Sequence, residues 1–299
     1  MFMNYTIHQL QIFIKVTETK SVTKASEMLF MTQPAVSIQL KKFQDQFPIP
    51  LFEVISRQLY ITEFGFEIAD LARNILEQLE EINYKTQAFK GLLTGKLNIS
   101  SASTGKYVIP YFLTGFISEH KEVELVLDVT NKSRVIESLK NNEIEFAMVS
   151  TLPDQLAVKE ETLIANKLYY VSSNEKKSNK SRQLIYREQG SATRAAMETF
   201  FQDSRGERKQ MELTSNEAVK QAVLAGLGDS IMPLIGLHNE LEAGQLFIQS
   251  HRGLPITTEW RLIWLKDKKL SPVAEAFLQY IRLHKEEITK RYFNWYLAY

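Results

Sequence analysis

The stretch from Ser21 to Phe43, SVTKASEMLFMTQPAVSIQLKKF, constrains the chain more than any other. Ser21 can cap a helix in which Val22, Ala25, Met28 and Leu29 share one face, and the pattern stops at Phe30 and Met31. A second start comes at once. Thr32 can accept from the free N–H groups of the next turn, and Pro34, which lacks an N–H, suits a first turn. Val36, Leu40, Phe43 and Phe47 then recur at offsets of four, three and four, a stripe that faces a core, while Gln33, Ser37, Lys41 and Gln44 form a polar stripe.

Two short capped helices joined by a turn make a unit that fits a DNA major groove, with the N-terminal part of the second helix meeting the bases. A Gln amide can bond an adenine edge bidentately, Ser can donate or accept, and Lys can reach guanine or phosphate. Thr32, Gln33, Pro34, Ser37, Lys41 and Lys42 are therefore the candidate DNA face. The competing reading is the solvated face of an ordinary amphipathic helix. The residues on either side of the unit favour the first. Residues 51–55 and 59–61 read as two short strands around Ser56-Arg57-Gln58, a hairpin able to serve as a wing, with Arg57 at its tip for a backbone or minor-groove contact. Ahead of the unit, Thr6-Ile7-His8-Gln9 is a capping-box pattern opening a helix whose Leu10, Phe13, Ile14 and Thr17 would pack on the other two.

Residues 7–65 resemble the N-terminal domain of LysR-type transcriptional regulators. The resemblance rests on Leu10 and Phe13, Ser21-x-Thr23-x-Ala25, Gln33-Pro34-Ala35-Val36-Ser37, Leu51-Phe52, Arg57, Thr62 and Gly65. The chain departs from the family pattern at Ala25-Ser26, at Phe47-Pro48 and at Val54, the last two beside or in the wing.

Residues 1–60 carry six basic side chains (Lys15, Lys20, Lys24, Lys41, Lys42, Arg57) against four acidic ones (Glu18, Glu27, Asp45, Glu53), and the whole chain has a formal net charge of +1. One such domain has a weak electrostatic hold on phosphates, so a second copy is expected. Thr62 can cap a long helix to about Lys90 in which Ile68, Leu71, Ile75, Leu79, Ile82 and Phe89 lie close to a heptad seam, interrupted by Gln78 and Lys85. At 1.5 Å per residue that helix is roughly 40 Å long, more than a small domain can cover. Pairing with its twin would bury the seam; packing on the chain's own next domain is the alternative, and the resemblance favours pairing. A symmetric pair implies a near-palindromic DNA site with half-sites about one helical turn apart.

A length of 299 residues suggests about two domains of roughly 150 residues. There is no cysteine, which excludes disulfides and thiol chemistry. No signal-peptide pattern opens the chain and no apolar run approaches the ~20 residues of a membrane span, so a soluble cytoplasmic protein with no membrane partner is expected. After Gly91-Leu92-Leu93-Thr94-Gly95 the rhythm becomes α/β. Strands are predicted at 97–101, 123–129 and 146–150 with helices at 104–119 and 133–141; a second series lies at 168–172, 184–186, 211–214 and 260–265, with helices from Ser191, Asn216 and Ser271. Two such lobes make a cleft in which helix N-termini can hold a small ligand. Ser101, Ser103 and Thr104 at the first strand-to-helix turn, Ser150 closing the third strand, and Ser191, Thr193 and Arg194 in the second lobe are the candidate ligand groups. Each hydroxyl could equally serve only as a helix cap, and Arg194 could pair with a nearby Glu.

The resemblance covers nearly the whole chain. It implies an effector domain similar to type 2 periplasmic binding proteins, with hydroxyls at Ser101, Ser103, Thr104, Ser150 and the Ser191–Thr193 turn in effector-contacting positions. Gly190-Ser191-Ala192-Thr193-Arg194 and Asn216 to Gly228 look most like the branch with regulators of carbon fixation and sulfur assimilation, which tends to sense small anionic metabolites. The expected fold is thus α/β with an α-rich N-terminal domain: a winged helix-turn-helix over 1–61, a dimerisation linker helix over 62–91, and a two-lobed effector domain over 92–299, lobe I being 92–162 with 266–299 and lobe II 163–265.

An enzyme is not expected. His8, His120, His238, His251 and His284 are dispersed without metal-ligand spacing, Gly226-x-Gly228 lacks the context of a dinucleotide site, and no carboxylate pair stands out for acid–base work. No cofactor or metal is expected. A solute-binding receptor would explain the lobes but not residues 21–43. The expected partners are double-stranded DNA, a small anionic metabolite and further copies of the chain as a dimer or tetramer, and the resemblance admits RNA polymerase as well.

Overall fold

Gln9 N donates to the Thr6 hydroxyl while Thr6 N donates to Gln9 Oε1, the capping box that opens α1 (Ile7–Thr19). This computed structural model describes residues 4–56, 58–88, 93–174, 182–202 and 208–299, and the chain divides into two units, residues 1–90 and 91–299. In the first unit Ser21 caps α2 (Val22–Met28) and Thr32 caps α3 (Gln33–Gln44), with Pro34 in its first turn. Leu10, Phe13, Ile14, Ala25, Val36, Leu40 and Phe43 form its core. Gln9 also reaches across to Gln39, tying α1 to α3. Met28 falls outside the face on which the spacing put it: α2 ends there, and the chain swings away through Phe30, whose φ of 54° leaves its ring 99% exposed.

The wing is a two-stranded antiparallel hairpin, β1 (Phe52–Ile55) and β2 (Gln58–Ile61). Its base is fastened by side chains. Gln44 Oε1 accepts from Leu51 N at 2.6 Å, so this residue of the predicted polar stripe holds the loop after α3 in place and is not turned toward a groove. Replacing Gln44 by alanine is expected to leave the Leu51 N–H unpaired and lower the opening free energy of the Leu51 and Thr62 amides by about 1–2 kcal/mol. Hydrogen exchange on the two amides measures it, and unaltered protection would contradict this role. Thr62 N donates to Leu51 O, the Thr62 hydroxyl donates to Pro50 O and accepts from Gly65 N, and α4 (Glu63–Ala88) starts there. A Cβ on Gly65 would sit 2.0 Å from Leu51 O, which is why the helix can begin so close to the wing.

One side of α4 closes the first core through Ala69 and Ala72, with Phe64, Ile68 and Leu76 packed against it. On the seam predicted from the sequence, Ile68 and Leu79 are half-buried, while Leu71 (58%), Ile75 (41%) and Ile82 (61%) are exposed within the protomer. Phe89 lies outside the described residues.

The second unit begins with β3 (Gly95–Ala102), which pairs in parallel with β4 (Val123–Thr130) and β5 (Phe146–Val149) after the intervening helices α5 (Ile109–Glu119) and α6 (Lys132–Lys140). The single helix predicted over 104–119 is two pieces, a 3₁₀ turn at Gly105–Tyr107 and then α5, whose start is set by Pro110. The strand predicted at 168–172 belongs to a longer one, β6 (Val158–Ser172). Next come β7 (Leu184–Arg187), α7 (Ala192–Phe200), β8 (Gln210–Leu213), α8 (Asn216–Leu224), β9 (Ser230–Pro233), α9 (His238–Glu242), β10 (Phe247–Ile248), β11 (Ile256–Leu265) and α10 (Pro272–Tyr292). Among the described residues the main sheet runs β10-β6-β11-β5-β3-β4, with β9 also on β6, and β7 pairs β8 in parallel.

Two antiparallel strands, β6 and β11, pass through both halves of this unit. The outer end of β11 pairs β5 at Arg261 to Ile263, its inner end lies beside the part of β6 that carries β9, and the register shifts between Trp260 and Arg261. The aromatic end of the chain packs against β6. Tyr296, its hydroxyl pushed to high pKa by burial, accepts from Lys167 N at 2.7 Å, and Trp295 stacks on His238 at 3.9 Å. Among the described residues no helix is long and apolar enough to cross a membrane, and no cluster of three His, Cys, Asp or Glu could hold a metal.

Candidate DNA interface and effector cleft

On α3 the exposed side chains are Gln33, Pro34, Ile38, Lys41 and Lys42, with Ser37 half-buried. Thr32 Oγ1 accepts from Ala35 N at 3.4 Å and so serves the helix start. Gln33 Nε2 donates to Ser37 Oγ at 2.9 Å, which fixes the amide and leaves its Oε1 and second N–H facing outward. Lys41 and Lys42 sit in the last turn, where positive charge suits the helix dipole. Arg57 lies outside the described residues.

In the second unit a cleft of about 460 Å³, mouth included, opens where β3, β5, β6 and β11 meet the starts of three helices. Ser103, Thr104, Ser150, Ser191 and Thr193 all line it. Ser101 does not: it is fully buried, its hydroxyl donates to Ala102 O, and a Cβ on Gly105 would lie 2.2 Å from its oxygen. The caps separate the remaining hydroxyls. Ser191 caps α7 through Arg194 N, whereas Thr104 makes no capping bond. Ser103 Oγ accepts from Asn216 Nδ2 at 2.8 Å and from Arg187 Nη1 at 3.1 Å. With both lone pairs occupied, its own hydrogen is left to donate toward a ligand acceptor.

Arg194, expected among the ligand groups, does not line this cleft; it lines a neighbouring, more open depression that shares Lys132, Thr151 and Ser191 with it and that Glu198 also lines. Although partial burial opposes its charge, hydrogen bonds to Glu198 and Glu212 hold the guanidinium firmly protonated, and Nη1 also donates to Arg187 O. It fastens α7 to β8.

The cleft contains groups that strand ends alone do not reveal. Lys132 opens α6, and its ammonium donates to Thr151 Oγ1 at 2.6 Å and to Leu152 O at 3.2 Å, both neutral oxygens; burial lowers its pKa and Asp154 partly restores it. Asn131, which caps α6, also faces the cleft. Arg187, buried at the end of β7, is gripped by Glu188 through Nε and Nη2. Among the described residues Asn166 Oδ1, Asn216 Oδ1 and Trp260 Nε1 are buried cleft atoms without a hydrogen-bond partner; the indole N–H is a donor that an anion can meet, whereas the two amide oxygens accept and need a donor such as a ligand hydroxyl or a water. Gly190, with φ +82°, permits the close approach of the α7 start to α6: a Cβ there would lie 2.5 Å from Ser133 Oγ.

The electrostatic sum favours an anion. Three nine-residue helices, α6, α7 and α8, direct their N-termini at the cleft through Asn131 and Lys132, Ser191 to Thr193, and Asn216. Each start carries partial positive charge and unsatisfied N–H groups. Lys132 adds a full charge whose hydrogen bonds go to neutral oxygens, with Asp154 acting on it through space, and among the described residues none of the side chains lining the cleft is a carboxylate.

A winged helix-turn-helix in one unit and an α/β ligand cleft in the other define a transcription regulator with a sensor domain. Residues 7–66 match the family of bacterial regulatory helix-turn-helix proteins, lysR family, and residues 90–285 match the LysR substrate binding domain. The chain belongs to the LysR family of transcriptional regulators. It is 36% identical to the HTH-type transcriptional activator CmpR of Synechocystis sp. over 297 residues, 96% of this chain and 98% of that one. It is 34% identical to the RuBisCO operon transcriptional regulator of Allochromatium vinosum over 93% of this chain and 96% of that one. Among solved structures, the regulatory domain of Synechocystis PCC6803 CcmR in complex with 2-PG aligns with a TM-score of 0.60 and 29% identity, covering 64% of this chain and 98% of that chain. CbnR complexed with its target DNA shares the fold, with a TM-score of 0.60 and 19% identity over 93% of this chain and 99% of that one.

Proposed function

We propose that this regulator senses a small metabolite carrying both phosphate and carboxylate, 2-phosphoglycolate being the first candidate, and that it binds DNA as a dimer or a tetramer. The observation that carries the reading is the convergence of Lys132 and three helix N-termini on a cleft that, among the described residues, no carboxylate lines. The 29% identical CcmR domain, solved with 2-PG, supports the same ligand class. Effector contact is assigned to Ser103, Thr104, Ser150, Ser191 and Thr193 together with Lys132, Asn166, Asn216 and Trp260; DNA contact to Gln33, Pro34, Ser37, Lys41, Lys42 and Arg57, with Thr32 placing the helix start; and pairing to the α4 seam. We place the working divisions at 1–61, 62–91 and 92–299. The lobes of the last meet within β6 and β11, and the register shift at Trp260/Arg261 favours that point as the second crossing. The protein acts in the cytoplasm and catalyses no reaction, in keeping with the regulators to which it is similar. The effector acts by favouring one arrangement of the paired subunits over another, which requires that it bind the two unequally.

Calorimetric titration of the full chain with 2-phosphoglycolate tests this, with glycolate and inorganic phosphate as comparisons. Saturable binding of 2-phosphoglycolate, tighter than either part, and an altered shift of bound DNA are expected. Binding should weaken as pH rises through the lowered pKa of Lys132, at a lower pH than an ordinary lysine would give, because the charged ammonium is the form that holds the anion. Equal affinity for phosphate alone, or a flat profile through the alkaline range, would overturn the assignment.

A further inference from the structure

The helix that faces DNA carries an apolar side chain at its crown. Val36, Leu40 and Phe43 of α3 are buried. Ile38 lies two residues from both Val36 and Leu40, which at 3.6 residues per turn places it opposite the buried stripe. It is 53% exposed. Of its helical neighbours at three and four residues, Pro34, Lys41 and Lys42 are exposed and Ala35 is half-buried, and Ser37 beside it is bonded to Gln33.

A lone exposed isoleucine on an ordinary surface needs no explanation. This one is different in position. It sits among the polar and basic groups assigned to DNA, so whatever α3 meets in the groove, Ile38 meets as well. The side chain can neither donate nor accept, so it contributes nothing to guanine, to cytosine or to phosphate, and would only desolvate their polar edges. One base carries an apolar group on its major-groove edge: thymine, through its C5 methyl. We infer that Ile38 is a specificity-determining residue that packs on a thymine methyl in each half-site. The inference rests on the reading of α3 as the groove helix. Gln33 points the same way, since its held amide keeps an acceptor and a donor for the N6 and N7 of adenine. Both side chains then select A·T pairs at neighbouring positions, and do so without net charge. That agrees with an N-terminal domain holding only six basic groups against four acidic ones over residues 1–60.

The test is methyl deletion on the DNA. The full chain selects its operator from random duplexes, and each thymine of a half-site is then replaced in turn by uracil, which pairs identically but lacks the methyl. Removing one buried methyl from the contact should weaken the wild-type protein about fourfold per half-site at one position. Ile38→Ala should bind the thymine duplex more weakly by at least that factor and lose nothing further on uracil replacement, and its salt dependence should match wild type because no phosphate contact is removed. Ile38→Val should keep part of the sensitivity. Wild-type binding indifferent to uracil at every thymine, or an alanine variant as sensitive as wild type, overturns the role of Ile38 while leaving groove reading by α3 intact. Failure to select any DNA overturns both.

Discussion

Replacing Lys132 by glutamine is expected to weaken binding of 2-phosphoglycolate by a hundredfold or more and to leave effector-free DNA binding unchanged. The size comes from where the ammonium sits. Its hydrogen bonds go to Thr151 Oγ1 and Leu152 O, neutral acceptors that orient the charge without cancelling it, and burial costs it part of its proton affinity, which the Asp154 charge only partly restores. A bound anion restores that loss, and removing one member of such a desolvated pair costs about 2–5 kcal/mol, a factor of roughly thirty to several thousand. Glutamine can still donate to both oxygens, so the start of α6 should stand. Calorimetry on the two proteins measures the ratio; a change below threefold would remove Lys132 from the site. Arg194→Gln is the informative contrast. The sequence pattern makes Arg194 the natural anion partner, yet Glu198 and Glu212 already occupy its guanidinium. Its loss should loosen α7 against β8 and alter effector affinity far less than the loss of Lys132. Arg187 is a poorer probe, because truncating it would strand Glu188 next to the cleft.

The difference between Lys132 and Arg194 shows which parts of the site a sequence can reveal. Local chemistry was legible. The caps at Thr6, Ser21, Thr32 and Ser191 each accept from the N–H three residues on, because a cap depends only on its own turn. Ser103 and Thr104 could be read for the same reason, as hydroxyls between a strand and a helix. Ser101 could not be separated from them: β3 runs to Ala102, side chains alternate between faces along a strand, and the last strand residue is set by pairing with β4 and β5. Lys132 carried a usable signal, since Thr130-Asn131-Lys132-Ser133 repeats the strand-to-helix pattern of residues 101–104, and a lysine at such a start has little reason to be there as a cap. Asn166, Thr258 and Trp260 carried none. They come from β6 and β11, meet only through a register spanning some ninety residues, and their neighbours in sequence give no hint of a common cavity. Gln44 failed in the opposite direction: its helical face suited DNA, but Leu51, seven residues on, needed an acceptor.

The second large effect belongs to α4. Changing Leu71 and Ile75 together to glutamate is expected to convert the protein to a smaller species in sedimentation and to reduce operator affinity by about a hundredfold or more. Both side chains are exposed within the protomer, so the fold of residues 1–90 should tolerate the change, whereas the inward residues Ala69 and Ala72 are untouched. They lie one turn apart on the exposed side of α4, where the apolar surface that the protomer leaves open to water is their own, beside a depression that Tyr5 and Phe47 also line. In a symmetric pair each substitution acts twice, and four carboxylates would replace four aliphatic groups, each worth up to about 1.5–3 kcal/mol when fully buried. The loss to DNA binding is larger than any contact on α3 could explain. A single domain with so small an excess of positive charge holds the duplex weakly, and joining two half-site contacts raises affinity by about 10²–10⁴. Separating the copies removes that gain while leaving Gln33, Ile38, Lys41 and Lys42 in place. Wild-type mass together with wild-type operator affinity would rule out this face of α4 as the pairing seam. A variant of reduced mass that still binds its operator as tightly would show instead that one copy suffices, and the charge argument from residues 1–60 would fall with it.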